Sequence, residues 1–563
     1  MNTSLPLNLL LLLVFAYFSC FLVLVPVFAK VFLSIDCGSM SLKPRTDNNS
    51  IIWVGDGPYI KTGEVHKVNV LADESGFDSS VMSSLRAFPT RNKNCYSMDT
   101  DKEPEDNTTT ERVLIRANFY YGNYDNKSTP PTFNLQFNGI HWTKVQTRME
   151  GITYEEVVFL WKKGTNINVC LAQTKPNNIP FISALEVRSL DADVYSYFPD
   201  DKAMIFLDRY ALGSTTVIRY PEDSMDRIWV GNNISTINRV RSNSPSINVG
   251  TDDKPPEAVL RTALTPLNSS ENISMTFTIN RKVPIIGKAY FSEVIKLNST
   301  QKRSFNIVVN NHLDTTIIFP KNPVIPPYGG VLEVNMINVT TFNSSFSLDF
   351  VRTNDSTLPP LISALEWYTF GETLVEGTNP DDVKALGVLK KSFIQLQDWN
   401  GDPCLPSPYT WDWVGCDSDT DSPRITALYL NDLGLVGALP DFSDMSALKT
   451  IILRNNSLMG EIPRFLGSFP ELTVLNLADN NFSGAIPSLL YNNGFLKLNA
   501  SSNPNLLCMD ASICDIGSKV PSPSNNDTDT KSIVPSPNKG KGSKILAQPI
   551  TTLLLIMFSA FLL

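Results

Sequence analysis

A chain of 563 residues with 42% hydrophobic and 18% charged content has the composition of a globular protein and calls for several domains. Its formal net charge of −9 gives no basis for nucleic-acid binding. The three histidines, His66, His141 and His312, stand far apart, so neither a zinc site nor a histidine-based catalytic centre is expected, and no cofactor.

Residues 1–29 read as a signal peptide, with an apolar run from Leu9 to Phe28 and a small residue, Ala29, at the cleavage position. Secretion is expected independently from the density of Asn-x-Ser/Thr sequons: Asn48, Asn107, Asn126, Asn233, Asn268, Asn272, Asn298, Asn338, Asn343, Asn354, Asn455, Asn481, Asn499 and Asn526. Once Cys20 leaves with the signal, Cys404 with Cys416 and Cys508 with Cys514 form two close pairs suited to disulfides in an oxidising compartment. Cys37, Cys95 and Cys170 cannot all pair with one another, and any of the three can be the free thiol.

From Val31 to about Phe370 the chain repeats itself. Ile182-Ser-Ala-Leu-Glu186 recurs as Ile362-Ser-Ala-Leu-Glu366, Ile51-Ile-Trp-Val-Gly55 as Arg227-Ile-Trp-Val-Gly231, and Thr132-Phe-Asn-Leu135 as Ser304-Phe-Asn-Ile307. Ala117 and Phe119 match Ala289 and Phe291, and the order of the four motifs is preserved, which indicates two copies of one unit, 30–192 and 193–372. Runs such as Val113–Tyr120 and Met275–Asn280 are β-branched and aromatic and are bounded by turn residues, so both copies read as antiparallel β-sandwiches of the jelly-roll kind. In Ile-Ser-Ala-Leu-Glu, a final strand, Ile182 and Ala184 and their counterparts are expected to face the core.

Ile35-Asp-Cys-Gly-Ser39, Arg86-Ala-Phe-Pro89, Asn94-Cys-Tyr96, Ile115-Arg-Ala-Asn-Phe-Tyr-Tyr-Gly-Asn-Tyr-Asp125 and Phe181–Glu186 resemble the malectin-like ectodomain of plant receptor-like kinases. With Gly401-Asp-Pro-Cys404 and the repeats behind it, the likeness is to the malectin-like, leucine-rich-repeat type that includes the symbiosis receptor kinase. The resemblance implies tandem carbohydrate-binding-like sandwiches, extracellular display and signalling, with a wall glycan or a secreted peptide as ligand. It places the sugar-contacting aromatics at Tyr120, Tyr121 and Tyr124, with Asp125 beside them, because aromatic faces stack on sugar C–H groups while carboxylates bind hydroxyls. The second copy has Tyr290-Phe-Ser-Glu293 there and is expected to serve packing or a protein contact.

A linker and cap follow over 373–424. Asn379 caps a helix with Pro380 at its first turn and Asp381 and Asp382 at its positive end. Val383, Leu386, Leu389, Phe393 and Leu396 form its apolar stripe. Cys404 and Cys416 enclose Trp411 and Trp413, as suits a disulfide-closed cap over the open end of a repeat stack. Over 425–516, Leu448-x-x-Ile451-x-Leu453-x-x-Asn456 and Leu472-x-x-Leu475-x-Leu477-x-x-Asn480 recur at a step of about 24 residues, the plant extracellular leucine-rich pattern. An earlier repeat starts at Ile425, with Leu433 where the ladder asparagine belongs, and a degenerate one at Leu496. The exposed strand positions Tyr429, Ile452, Arg454, Asn476, Ala478 and Asp479 are the expected contacts to a co-receptor kinase, and a glycan on Asn455 would cover part of that arc.

Residues 517–544 read as a disordered stalk and 545–563 as a hydrophobic tail. The tail, short for a membrane span and preceded by Asn538, Gly540, Gly542 and Ser543, is expected to signal a glycosylphosphatidylinositol anchor rather than a membrane helix. Gly-rich-loop, His-Arg-Asp and Asp-Phe-Gly kinase signatures do not occur in these residues. The expectation is a mainly β, non-enzymatic receptor-like protein on the extracellular face of the plasma membrane. The alternatives are a wall-to-membrane tether and an extracellular glycosidase, the latter lacking any motif that fixes two carboxylates across a cleft.

Overall fold

A computed structural model of the chain describes residues 31–70, 77–99, 110–231, 238–279, 283–310, 318–320, 323–339, 345–417, 422–507 and 513–514. The signal segment, the stalk, the hydrophobic tail with Asn538, Gly540, Gly542 and Ser543, and Asn107, Asn233, Asn343, Cys508 and Asn526 lie outside the described residues. Among the described residues no helix is long and apolar enough to cross a membrane.

The fold is mainly β and is organised around one sheet of 12 strands that runs through both copies of the repeated unit. Its construction follows the duplication. In the first copy, Phe32–Asp36 pairs antiparallel with Ala184–Ser189, with Ile35 opposite Leu185, and parallel with Ile52–Gly55. In the second copy, Lys202–Ala211 pairs antiparallel with Ala364–Thr373, with Tyr210 opposite Leu365, and parallel with Val230–Gly231. Val54-Gly55 and Val230-Gly231 thus occupy the same place in each copy. Thr110–Phe119 beside Ala184–Ser189 corresponds in turn to Ile285–Phe291 beside Ala364–Thr373. The copies join where Thr153–Lys162 of the first meets Lys202–Ala211 of the second, at Val157 opposite Ile205 and Val158 opposite Met204.

Smaller sheets form the rest of each copy: Lys93–Met98, Ile167–Ala172, Thr132–Phe137 and Ile140–Gln146 in the first, and Ile273–Thr278, Ser345–Arg352 and Phe305–Val309 in the second. The apolar core of the first copy contains Trp53, Tyr96, Phe133 and Trp142, and that of the second contains Phe291, Phe305, Phe350 and Trp367. Ile182, Ala184, Ile362 and Ala364 are all fully buried. The repeated motif is not one strand, however. Phe181–Ile182 pairs with Ser84–Ala87, and the chain crosses at Ser183 into the large sheet at Ala184.

The helix Pro380–Ser392 is capped by the Asn379 side chain, which accepts from the Asp381 and Asp382 backbone N–H groups. Its buried face consists of Ala385, Leu386 and Leu389, while Val383 is 42% exposed and drops out of the expected stripe. Asp382 takes a place in that face: its carboxylate is fully buried, pairs with Arg424 at 2.9 Å and accepts the Ile425 N–H. The repeats build a sheet of 5 strands, with the cap strand Val414–Cys416 antiparallel to Ile425–Tyr429 and the others parallel. A second sheet runs from Val436–Gly437 to Asn505–Leu507. The asparagine ladder comprises Asn456, Asn480 and Asn503, whose side chains accept from the N–H groups of Leu435, Leu458 and Phe482.

Cys95 and Cys170 form a disulfide, as do Cys404 and Cys416, and Cys37 is the buried free thiol. Cys514 is disulfide-bonded as well. The sequon asparagines Asn48, Asn126, Asn268, Asn272, Asn298, Asn354, Asn455, Asn481 and Asn499 are all exposed, whereas Asn338 falls in the strand Leu332–Val339.

Candidate functional site

The strand Thr110–Phe119 delivers its aromatics into a turn that needs left-handed backbone at Gly122 (φ 50°), Asn123 (φ 52°) and Asn126 (φ 56°). A Cβ at Gly122 would lie 2.8 Å from the Val68 Cβ, so the turn is packed as well as twisted. Tyr120 and Tyr121 are only 3% and 1% exposed and belong to the apolar core of the first copy. The Tyr121 hydroxyl donates to the Asp125 carboxylate, and that of Tyr120 to the Asn69 carbonyl. Burial and the neighbouring carboxylate push the Tyr121 hydroxyl up to about 12. Tyr124 is half-buried, with its ring 4.9 Å from His66 and 5.5 Å from Phe181. The four residues expected to meet a sugar are therefore brought together, but two of the three rings serve the core. What this turn offers to solvent is Tyr124 and Asp125. In the second copy Tyr290, Phe291, Ser292 and Glu293 are all buried, and Glu293 pairs with Arg303 at 2.7 Å.

Sequence reasoning missed a buried polar network between the copies. Glu156 receives Arg116 at 2.9 Å and Arg209 at 2.7 Å, and Arg209 also reaches Glu366 at 3.2 Å. Arg188 and Arg219 both lie 2.8 Å from Asp226, and Arg188 lies 2.7 Å from Glu186. The side chains of Arg116, Glu156, Glu186, Arg188, Arg209, Asp226 and Glu366 have no exposed surface. Burial alone would raise the Glu366 carboxyl, but the Arg209 and Arg227 guanidinium groups outweigh it and hold the group at about 2. Desolvation costs several kcal/mol per ion unless partners surround it, so these charges persist only as a set. The one signal in the sequence is that each Ile-Ser-Ala-Leu-Glu motif ends in an acid, Glu186 and Glu366.

The Gly401-Asp-Pro-Cys404 stretch docks the repeat cap onto the first copy. Gly401 (φ 77°) approaches the Cys95–Cys170 disulfide so closely that a Cβ would lie 2.5 Å from one sulfur and 2.7 Å from the other. Asp402 folds the turn by accepting the backbone N–H groups of Thr378, Cys404 and Leu405 at 2.7–2.9 Å. From the first copy, Lys93 Nζ donates to the carbonyls of Asp402 (2.7 Å) and Leu405 (2.9 Å), and burial pushes its pKa down to about 8. The Arg91 guanidinium lies 4.2 Å from the centroid of Trp399, which packs with Trp411 and Trp413. This seam was not legible in the sequence, since Arg91 and Lys93 lie some three hundred positions from their partners.

On the repeat sheet, Tyr429 is 44% exposed, Arg454 is exposed and ion-paired with Asp479 at 2.9 Å, and Ile452 and Asn476 are half-buried. Ala478 is 2% exposed and offers no surface: its N–H donates to the Asn476 side chain, and the tight turn carries it inward. The Asn455 amide donates to Asp432 at the margin of this row. These groups make a mixed aromatic and charged surface.

A family model described as "Malectin-like domain" matches residues 35–370, and one described as "Leucine Rich Repeat" matches residues 471–493. Among curated proteins, a probable leucine-rich-repeat receptor-like serine/threonine-protein kinase of Arabidopsis thaliana is 33% identical over 428 residues, covering 74% of this chain and 48% of that protein. The Arabidopsis thaliana receptor-like kinase IOS1 is 31% identical over 460 residues, covering 77% and 48%. An uncharacterized Arabidopsis thaliana protein is 35% identical over 350 residues, covering 61% and 64%. The chain spans about half the length of the curated kinases it matches. Among solved structures, the plant receptor-like kinase FER aligns with a TM-score of 0.50 at 17% identity, covering 61% of this chain and 96% of that one. The ANXUR2 extracellular domain from Arabidopsis thaliana aligns with a TM-score of 0.50 at 16% identity, covering 61% and 97%.

Proposed function

Because the chain belongs to the malectin-like domain family, with leucine-rich repeats behind that domain, we propose that it is a receptor-like protein of the extracellular face of the plasma membrane. In this reading the malectin-like pair receives a ligand, each copy is a jelly-roll sandwich, and the repeat face around Tyr429 and Arg454 contacts a partner receptor-like kinase. The function is recognition rather than catalysis.

The observation that carries the reading is the similarity to receptor-like kinases over 74% of this chain, together with its matches to the malectin-like and leucine-rich-repeat models. The repeat surface supports it, since an exposed tyrosine beside an arginine is the composition of a protein contact. A wall-to-membrane tether would use the same malectin-like pair and differ in needing no kinase.

Biolayer interferometry tests the reading. The glycosylated chain is immobilised, and ectodomains of receptor-like kinases are passed over it. At least one is expected to bind, with the Tyr429→Ala/Arg454→Glu variant weakened about tenfold or more. Binding that ignores both substitutions, or no binding to any kinase ectodomain alongside retention of wall polymer, rejects it.

A further inference from the structure

The junction between the two malectin-like copies is open on one side. Thr153–Lys162 is paired along its whole length with Thr110–Phe119, and Lys202–Ala211 is paired with Ala364–Thr373. Between themselves these two strands pair only at Val157–Ile205 and Val158–Met204. Beyond that point they splay, and a register shift between Phe206 and Asp208 bends the second strand away. The result is a cleft of about 520 Å³ lined by Tyr154 and Glu155 from one strand, Leu207 and Asp208 from the other, and Lys144 and Arg148 from the adjoining hairpin.

We propose that this cleft is a binding site for an extended peptide segment carrying a basic side chain, which Asp208 receives. The inference rests on the reading of the malectin-like pair as the ligand-receiving part, and it names the site and the ligand class.

Asp208 is exposed in the cleft, and among the described residues no cation lies within ion-pairing distance of it. Its carboxylate accepts from the Tyr210 hydroxyl, and desolvation by the flanking strands, which outweighs that hydrogen bond, raises the carboxyl to about 6. Arg148 does not compensate it, because its guanidinium is turned to the Ile152 carbonyl (2.7 Å) and the Thr153 hydroxyl. An acceptor-only carboxylate at the mouth of a cleft recognises a guanidinium or ammonium group.

The walls favour a peptide over an oligosaccharide. Sugar sites present open aromatic faces, but Tyr154 stacks on Phe206 at 5.7 Å and abuts Phe77, so its ring is already covered. Two strand edges that part from each other instead suit an extended backbone. No Asn-x-Ser/Thr sequon occurs between Asn126 and Asn233, the stretch that supplies the whole lining apart from Ile279, so the cleft carries no glycan of its own.

The test uses the whole glycosylated chain and fluorescence anisotropy. The probes are a labelled octapeptide of alternating valine and arginine, its valine–glutamate counterpart, and a tetragalacturonate oligosaccharide. The arginine peptide is expected to bind at pH 7 and to lose about tenfold in affinity with Asp208→Asn, with unchanged circular dichroism and melting temperature. Its binding should weaken from pH 7 to pH 5 as Asp208 takes up a proton, and this dependence should be markedly smaller in the variant. The other charged or titratable groups lining the cleft are Lys144, Arg148, Tyr154 and Glu155, with Tyr210 donating to Asp208 from beside it. Equal binding by both forms of the protein overturns the proposal, as does oligosaccharide binding lost in Asp208→Asn. Kinase-ectodomain binding through Tyr429 and Arg454 is measured on the same variant, so failure of the cleft and failure of the receptor reading are separate results.

Discussion

Single residues here divide into those that hold buried charge and those that fill the core, and substitutions separate the two. Arg209→Leu removes the cation shared by Glu156 and Glu366 and leaves two carboxylates without exposed surface under-compensated. The expected cost is about 3–5 kcal/mol in a denaturant melt, enough to block secretion, and a loss below about 1 kcal/mol would show that water reaches the network. In the aromatic turn, Tyr121→Phe removes only the hydroxyl, with its hydrogen bonds to Asp125 and Asn123, and should cost about 1 kcal/mol. Tyr121→Ala removes a core ring and should cost about 3–5 kcal/mol, so loss of ligand binding in an alanine variant there would report unfolding unless the phenylalanine variant shows it too. The burial of Tyr120 and Tyr121 was not legible because an aromatic run reads the same whether its rings point inward or outward, and the Gly122 turn decides which.

Elements were more legible than residues. Hydrophobic period and turn chemistry located the strands near Val113 and Met275, the Asn379 cap and the leucine-rich ladder, because each rests on contacts a few positions apart or on a fixed repeat. What escaped were long-range placements: the sheet switch at Ser183, the inward Asp382, and Asn503 as the last ladder residue in a repeat whose leucines have degenerated. The choice of Cys95 with Cys170 also required the fold, since adjacent antiparallel strands set these residues opposite each other. Asn480→Ala strands the Leu458 N–H and the carbonyls of Leu453 and Leu477 inside the repeat stack, and should lower repeat stability by about 1–3 kcal/mol. Gly401→Ala places a methyl group against the Cys95–Cys170 sulfurs at a positive φ, so the cap should lift from the first copy. Hydrogen exchange would then show faster amide exchange around residues 91–95 and 398–405, whereas an unchanged profile would show that the seam does not depend on this close approach.

At the level of the whole molecule, the large sheet, the network beneath it and the capped seam tie the malectin-like region and the repeats into one scaffold. Its carboxyls also make it respond to acid. Burial pushes the Asp36 carboxyl up to about 6 despite Arg45 at 3.0 Å, so the folded chain binds a proton there more tightly than the unfolded chain does. That contribution is fully present below the unfolded value near 3.8 and is lost as pH rises through about 6, so Asp36 by itself should add about 1–2 kcal/mol of stability between pH 7.5 and pH 5. Glu366, held at about 2, works in the opposite sense and subtracts only below about pH 4.5. Calorimetry should show the higher melting temperature at pH 5, with a flatter profile in Asp36→Asn. In the proposed reading this scaffold works as a receptor with a kinase partner. Proximity labelling on intact plant cells, with the labelling enzyme fused to this chain, tests that most directly. Receptor-like kinase peptides enriched with the wild-type chain and lost with Tyr429→Ala/Arg454→Glu are the predicted result. Labelling confined to wall proteins and unchanged by those substitutions would contradict it.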